Sequence, residues 1–228
     1  MRGWGIVLTV LYAVIVVGIL IPWALYLSGA AGNGGLSYFL HGLVDVYAET
    51  LVWVFTSMVI AGQALLLFLS VDISEKRLKP QTHIWVSCAV ASAPAGLLAY
   101  AAVLCMGVGI HGDKFLNAHE AAIGTRTKVL IGVGILWAIW GVVFYLYLRN
   151  KSDVVRRIMT WLLRGSVLEL LVAVPCHVLV RRKDQCCAPM VTSFGIVTGI
   201  AIMLLSFGPS VLFLYKKRLD AYAVREGK

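Results

Sequence analysis

Six stretches of the chain are almost entirely apolar, and the polar residues collect in short segments between them. A helix needs roughly 20 apolar residues to cross the hydrocarbon core of a bilayer. Each stretch is long enough. The pattern therefore predicts an all-α, polytopic membrane helix bundle in which residues 1–228 form a single integral membrane domain. The six transmembrane spans are expected at about residues 4–27, 36–71, 84–110, 129–148, 158–180 and 188–215.

The composition excludes a soluble protein. Hydrophobic residues make up 60% of the chain and charged residues 14%, whereas about a quarter of the residues of a soluble domain are charged. The net charge of +9 does not indicate nucleic acid, because the Lys and Arg residues flank the apolar stretches and no basic run is interleaved with aromatics. The expected partners are the lipid bilayer and either other membrane subunits or further copies of the chain.

The distribution of Lys and Arg predicts the orientation. With the amino terminus in the cytoplasm, thirteen of these residues fall on the cytoplasmic side and six on the outer side, while Arg164 lies inside a span. Cytoplasmic loops are enriched in Lys and Arg, so this bias predicts that both termini are cytoplasmic. We expect the protein in a prokaryotic inner membrane.

A polar stripe marks the second span, which we expect to be one helix from about Leu36 to Val71. At about 100° per residue, six of its polar residues fall on one face: Tyr38, His41, Asp45, Glu49, Thr56 and Gln63. Lipid offers no hydrogen-bond partners to a row of polar side chains, so this face should line a functional groove. Asp45 and Glu49 are the candidate catalytic residues in it. The alternative is that the first four residues lie among the outer headgroups and bind water.

Glu169 is the candidate proton carrier. It stands eleven residues from either end of the fifth span and therefore lies near the midplane of the bilayer. An ionised carboxylate there costs several kcal/mol, so we expect Glu169 to be buried among helices with a polar partner or water. A purely structural hydrogen bond to a neighbouring helix is the alternative.

A third signal is a cluster of thiols and an imidazole around the connection between the fifth and sixth spans. Cys176, His177, Cys186 and Cys187 are candidate metal ligands, because thiolate and imidazole bind Zn, Cu and iron. A disulfide between Cys176 and Cys186 or Cys187, plain structural thiols and a catalytic thiol remain alternatives. Cys176 reaches the other two only if the fifth helix unwinds soon after Pro175.

Histidines also collect at the predicted outer face, which favours a cofactor site there. His41, His119 and His177 are the candidate cofactor-binding residues, and the candidate cofactors are haem, a quinone or a transition metal. We therefore expect an integral membrane subunit of a redox complex, with an outer-face cofactor site and Glu169 as an intramembrane proton carrier. A small proton-coupled transporter and a structural or assembly subunit are the alternative functions.

Overall fold

The helices were located in a computed structural model, which describes residues 2–29, 35–72, 80–112, 114–115, 125–149, 154–183 and 187–226. These residues contain no β-strand. Three consecutive helical segments form the first span, and we call them together the first rod. They are α1 (Arg2–Ile15), a π-helical turn (Val16–Leu20) and α2 (Ile21–Leu27). The other helices are α3 (Gly35–Ala48), α4 (Thr50–Asp72), α5 (Pro80–His111), α6 (Thr125–Leu148), α7 (Val154–Arg182) and α8 (Ala188–Glu226).

The six predicted spans are confirmed as helices long and apolar enough to cross a membrane. They are Gly5–Leu27, Thr50–Leu67, Ile84–His111, Thr127–Leu148, Arg156–Arg182 and Ala188–Phe207. The described chain is thus an all-helical bundle of the kind found in integral membrane proteins. Satisfying every backbone amide within the segment is the reason that spans of this composition are helical.

The expected continuous helix from Leu36 to Val71 is wrong, because the chain breaks at Glu49 between α3 and α4. The amide of Glu49 donates to the carbonyl of Val46 at 3.2 Å, and the amide of Val52 donates to the carbonyl of Glu49 at 3.1 Å. These hydrogen bonds join residues three apart, as in a 3₁₀ turn, so they tighten the last turn of α3 and form the first turn of α4. No Pro or Gly marks the break in the sequence.

Helix α5 lies at the centre and packs against α4, α6, α7 and α8. Residues 91–98 are all buried, and most of them are small, which lets neighbouring backbones approach closely. A β-carbon at Gly96 would lie only 2.9 Å from the backbone nitrogen of Trp137 in α6. The small residues around Pro94 therefore determine how tightly the bundle closes.

The two ends of the bundle carry different chemistry. At the Cys187 end, Val108, Val180 and Ala188 form one buried cluster, and Arg181 donates to the carbonyl of Ser28 at 3.4 Å. Helix α3 joins this end, since Gly42 lies against Leu25 of α2.

The opposite end, called here the Arg156 end, is rich in aromatic rings. Trp85 stacks on Tyr145 with ring centroids 3.9 Å apart, and Tyr147 meets the edge of Trp161 at 5.7 Å. Aromatic residues of this kind favour the membrane–water interface. Among the described residues, Gly42 of α3 and Cys187 thus lie at one end of the bundle and Arg156 at the other. Cys186 lies outside the described residues, and which end is cytoplasmic stays a prediction.

The π-helical turn leaves one carbonyl without its usual donor. The amide of Ile21 donates to Val16 instead of Val17, and Pro22 has no amide proton to replace it. The hydroxyl of Tyr47 in α3 donates to the Val17 carbonyl at 2.5 Å. Partial burial raises the pKa of Tyr47 above its ordinary value, so this hydroxyl keeps its proton. The bond ties α3 to the first rod.

Replacing Tyr47 with Phe should destabilise the protein, because the Val17 carbonyl would then be unsatisfied. A loss of about 1–2 kcal/mol in the free energy of unfolding is expected, measured by denaturant titration in mixed micelles. Tyr26→Phe is the matched control, since Tyr26 is 62% exposed. Equal stability of the two variants would show that the bond contributes nothing.

Candidate functional site

Glu169 lies on the face of α7 that meets α8, and only 2% of its surface is exposed. Two glycines one turn apart on α8 receive its carboxyl group. A β-carbon at Gly195 would lie 3.5 Å from Oε1, and a β-carbon at Gly199 would overlap Oε2. The carboxyl group therefore occupies space that any other residue at position 199 would need.

The expected burial of Glu169 is confirmed, but the expected polar partner is not found among the described residues. Neither Oε1 nor Oε2 has a hydrogen-bond partner there. Arg164, the nearest basic residue on α7, is exposed on another face of the helix. Burying an ionised carboxylate without a partner costs several kcal/mol, so this position strongly discriminates between the charged and the neutral acid.

Two thiols pack near this part of α7, and we call Glu169, Cys105 and Cys176 together the Glu169 cluster. Cys105 of α5 is fully buried, and its sulfur lies against Gly195. Cys176 stands two turns after Glu169 on α7, and a β-carbon at Gly109 of α5 would lie 2.8 Å from its sulfur. The cluster therefore sits where α5, α7 and α8 meet on small residues.

A cavity of about 370 Å³ lies among the first rod, α4, α5 and α8. We call it the Glu49 cavity, because Glu49 is the ionisable acid in its wall. The lining residues with polar groups are Glu49, Thr56, Tyr100 and Thr198. Most of the other lining residues are aliphatic or aromatic. Gly195 also lines the cavity, and a β-carbon there would lie 3.5 Å from Oε1 of Glu169, so the cavity and the carboxyl group both adjoin this glycine.

The break at Glu49 divides the predicted polar stripe into two parts. Tyr38, His41 and Asp45 on α3 are exposed, and the Nδ1 atom of His41 lies 3.0 Å from the carbonyl of Ser37. On α4, Thr56 is 8% and Gln63 2% exposed. The structure thus brings Glu49 and Thr56 to the cavity and leaves Asp45 and His41 outside it.

His177 has a structural partner. Its Nδ1 atom lies 2.8 Å from the hydroxyl oxygen of Thr192 on α8. The same hydroxyl oxygen lies 3.2 Å from the carbonyl oxygens of Ala188 and Pro189. A hydrogen bond with the backbone of Leu27 also holds the ring, so His177 links α7 to α8 and to α2.

The described part of the cysteine cluster does not converge. Helix α7 continues through Pro175 to Arg182, so the unwinding that a disulfide from Cys176 required does not occur. Cys176 faces Gly109 and is a free thiol, while Cys187 is exposed and forms no disulfide with a described cysteine. Cys186 and His119 lie outside the described residues. Within the described ranges, no three His, Cys, Asp or Glu side chains are placed to hold one metal ion.

Three members of the site were missed by reasoning from the sequence: Cys105, Gly195 and Gly199. A cysteine in an apolar helix resembles an ordinary core residue. The usable signal was the pair of small residues four apart, Gly195 and Gly199, which is a common helix-packing pattern in membranes. Pairing it with the only carboxyl group in the fifth span would have located the cluster.

The comparisons with known proteins leave the function to be argued from this geometry. No protein family, no curated protein and no solved structure matches the chain.

Replacing Gly199 with Ala should destabilise the bundle, because the new methyl group would overlap Oε2 of Glu169 and crowd Leu170. Overpacking of this kind costs about 1–3 kcal/mol. Gly134→Ala is the matched control, since nothing lies within 4 Å of a β-carbon there. In a helix that change should be neutral or stabilising by up to about 1 kcal/mol.

The double variant Gly199→Ala with Glu169→Ala tests whether the two residues share the space. Removing the carboxyl group should restore part of the lost stability, so the two effects should not add. Additive losses, measured by unfolding in mixed micelles, would place Glu169 away from Gly199.

Proposed function

We propose that the chain is an integral membrane subunit of a redox complex that binds the head of a quinone in the Glu49 cavity and carries a proton on Glu169. The single observation that carries this proposal is Gly195, which lines the cavity and also lies against the Glu169 carboxyl group. An apolar cavity and a buried acid thus adjoin the same residue.

The cavity suits an amphipathic ligand with a flat apolar ring. Its walls include Phe55, Leu97 and Phe194 for ring and tail contacts, and its polar groups are few, as is usual for cofactor sites. The hydroxyls of Thr56 and Tyr100 are donors suited to quinone carbonyl oxygens. Glu49 is an acceptor suited to the hydroxyl of the reduced form.

Reduction of a quinone to a quinol takes two electrons and two protons, one proton for each oxygen. In this proposal the electrons come from the redox centre of a partner subunit. Glu169 holds one proton in the bundle and releases it toward the cavity at Gly195, while Glu49 exchanges the other at the cavity wall. A carboxyl group without a fixed partner suits this role, because no ion pair must break when the proton leaves.

The other candidate cofactors fit the described residues less well. Neither His41 nor His177 lines the Glu49 cavity, so the described histidines offer no axial haem ligand there. The thiols of Cys176 and Cys187 face different surroundings.

The distribution of Lys and Arg supports an orientation with both termini in the cytoplasm and the Cys187 end outside.

One observation favours a proton-coupled transporter as a second candidate. Gln63 is buried on α4. It lies seven residues after Thr56, and therefore on the same helix face about two turns further along. Its carbonyl oxygen has no hydrogen-bond partner among the described residues. A polar line that continues from the cavity toward the Arg156 end is what a transport path requires.

Quinone binding tests the first proposal. Ala101 is buried and lines the cavity, so Ala101→Phe should fill it and abolish binding of a short-chain quinone analogue, measured by titration of the purified protein. Glu49→Gln should weaken binding of the quinol about tenfold, because a charge-assisted hydrogen bond becomes a neutral one. Asp45→Asn is the control, since Asp45 is exposed on α3.

Unchanged binding in Ala101→Phe would contradict the quinone site. If the wild-type protein binds no quinone and instead moves protons with a solute across liposomes, the transporter is the correct reading. Folding of each variant is checked by helical circular dichroism and by elution as a single species.

Glu169→Gln separates proton transfer from ligand binding. The amide preserves shape and burial, so the variant should fold and bind quinone as the wild type does. Proton uptake coupled to quinone reduction in the intact complex should be lost. Wild-type proton uptake in this variant would make Glu169 a packing residue.

A further inference from the structure

A second cavity, of about 270 Å³, lies at the Arg156 end, and it shares no lining residue with the Glu169 cluster or the Glu49 cavity. Its lining consists of three arginines, two aromatic rings and one hydroxyl: Arg156, Arg157, Arg164, Tyr147, Trp161 and Thr160. We call it the arginine pocket. Its volume is several times the roughly 30 Å³ that one water molecule occupies in the liquid, which is enough for a phosphate group and its linkage.

The three guanidinium groups are available for an external anion. All three arginines are exposed, and no ion pair joins any of them to a carboxylate in the described part of the chain. The hydroxyl of Thr160 donates to the carbonyl of Arg156 at 3.0 Å, which leaves its oxygen lone pairs toward the pocket. Like charges this close repel one another, so the pocket gains from a bound anion.

The arginines are arranged along the membrane normal and not only around its surface. Arg157 and Arg164 are seven residues apart on α7, which places them on one helix face and about 10 Å apart along the axis. The pocket therefore extends about 10 Å along α7, past the level of Trp161, which is the side chain that forms its aromatic wall on this helix. Inorganic phosphate is too small to use that whole length.

The same face of α7 becomes apolar immediately below Arg164. Leu168 is 64% exposed and Leu171 is 67% exposed, and both continue the face that carries Arg157 and Arg164. On the other side of the pocket, α6 presents Leu146, which is 65% exposed. A molecule held by the arginines would therefore extend an apolar part along these side chains.

We infer that the arginine pocket binds the phosphate of an anionic diacyl phospholipid, with its acyl chains lying along the exposed face of α7. Arginine forms bidentate, charge-assisted bonds with phosphate oxygens. The edge-to-face rings of Tyr147 and Trp161 supply the interfacial wall. Basic pockets between transmembrane helices are suited to anionic head groups, and this site is independent of the proposed quinone chemistry.

Native mass spectrometry of the full-length protein in detergent tests the inference, with phosphatidylglycerol, phosphatidylcholine and inorganic phosphate as probes. The wild type should bind phosphatidylglycerol at least tenfold more tightly than phosphatidylcholine, and millimolar inorganic phosphate should not displace it. Arg157→Gln and Arg164→Gln should each weaken phosphatidylglycerol binding about fivefold and leave phosphatidylcholine unchanged. Arg182→Gln at the opposite end removes the same charge and should have no effect.

Three outcomes would overturn the inference: equal affinity for the two lipids, wild-type affinity in both pocket variants, or displacement of the lipid by inorganic phosphate alone. Arg157→Lys provides a second check that keeps the charge. It should bind phosphatidylglycerol with intermediate affinity, because the bidentate geometry is lost. Since the three arginines are exposed, the variants should fold, which elution as a single species confirms.

Discussion

The close approach of α5, α7 and α8 on small residues is the constraint on which the rest of the structure depends. Lipid offers no hydrogen bonds and no hydrophobic gain for helix association, so packing at short distance holds such helices together. Gly195 and Gly199 permit that approach and enclose the Glu169 carboxyl at the same time. Packing and chemistry therefore use the same residues, and neither can be changed without the other.

This constraint explains why the Glu169 cluster and the Glu49 cavity are neighbours. Gly195 of α8 lies against the Glu169 carboxyl group and also lines the cavity. The break between α3 and α4 falls at Glu49, which lines the same cavity. A cavity and a buried carboxyl group thus adjoin one residue that has no side chain.

Much of the fold was predictable, because a run of about 20 apolar residues has few structural alternatives in a membrane. The burial of Glu169 followed from the cost of exposing a carboxylate to lipid. The break at Glu49 was not predictable, since no Pro or Gly marks it in the sequence. Cys105 was missed because its contact with Gly195 belongs to another helix, which apolar periodicity does not reveal.

The most direct test of the central claim is infrared spectroscopy of the purified protein in lipid at neutral pH. A buried carboxyl group such as that of Glu169, which has no hydrogen-bond partner among the described residues, should be present as the neutral acid, whose carbonyl stretch is distinct from that of a carboxylate. The account predicts that this band is present in the wild type, persists in Glu49→Gln and disappears in Glu169→Gln. Persistence of the whole band in Glu169→Gln, or its absence from the wild type, would contradict the account.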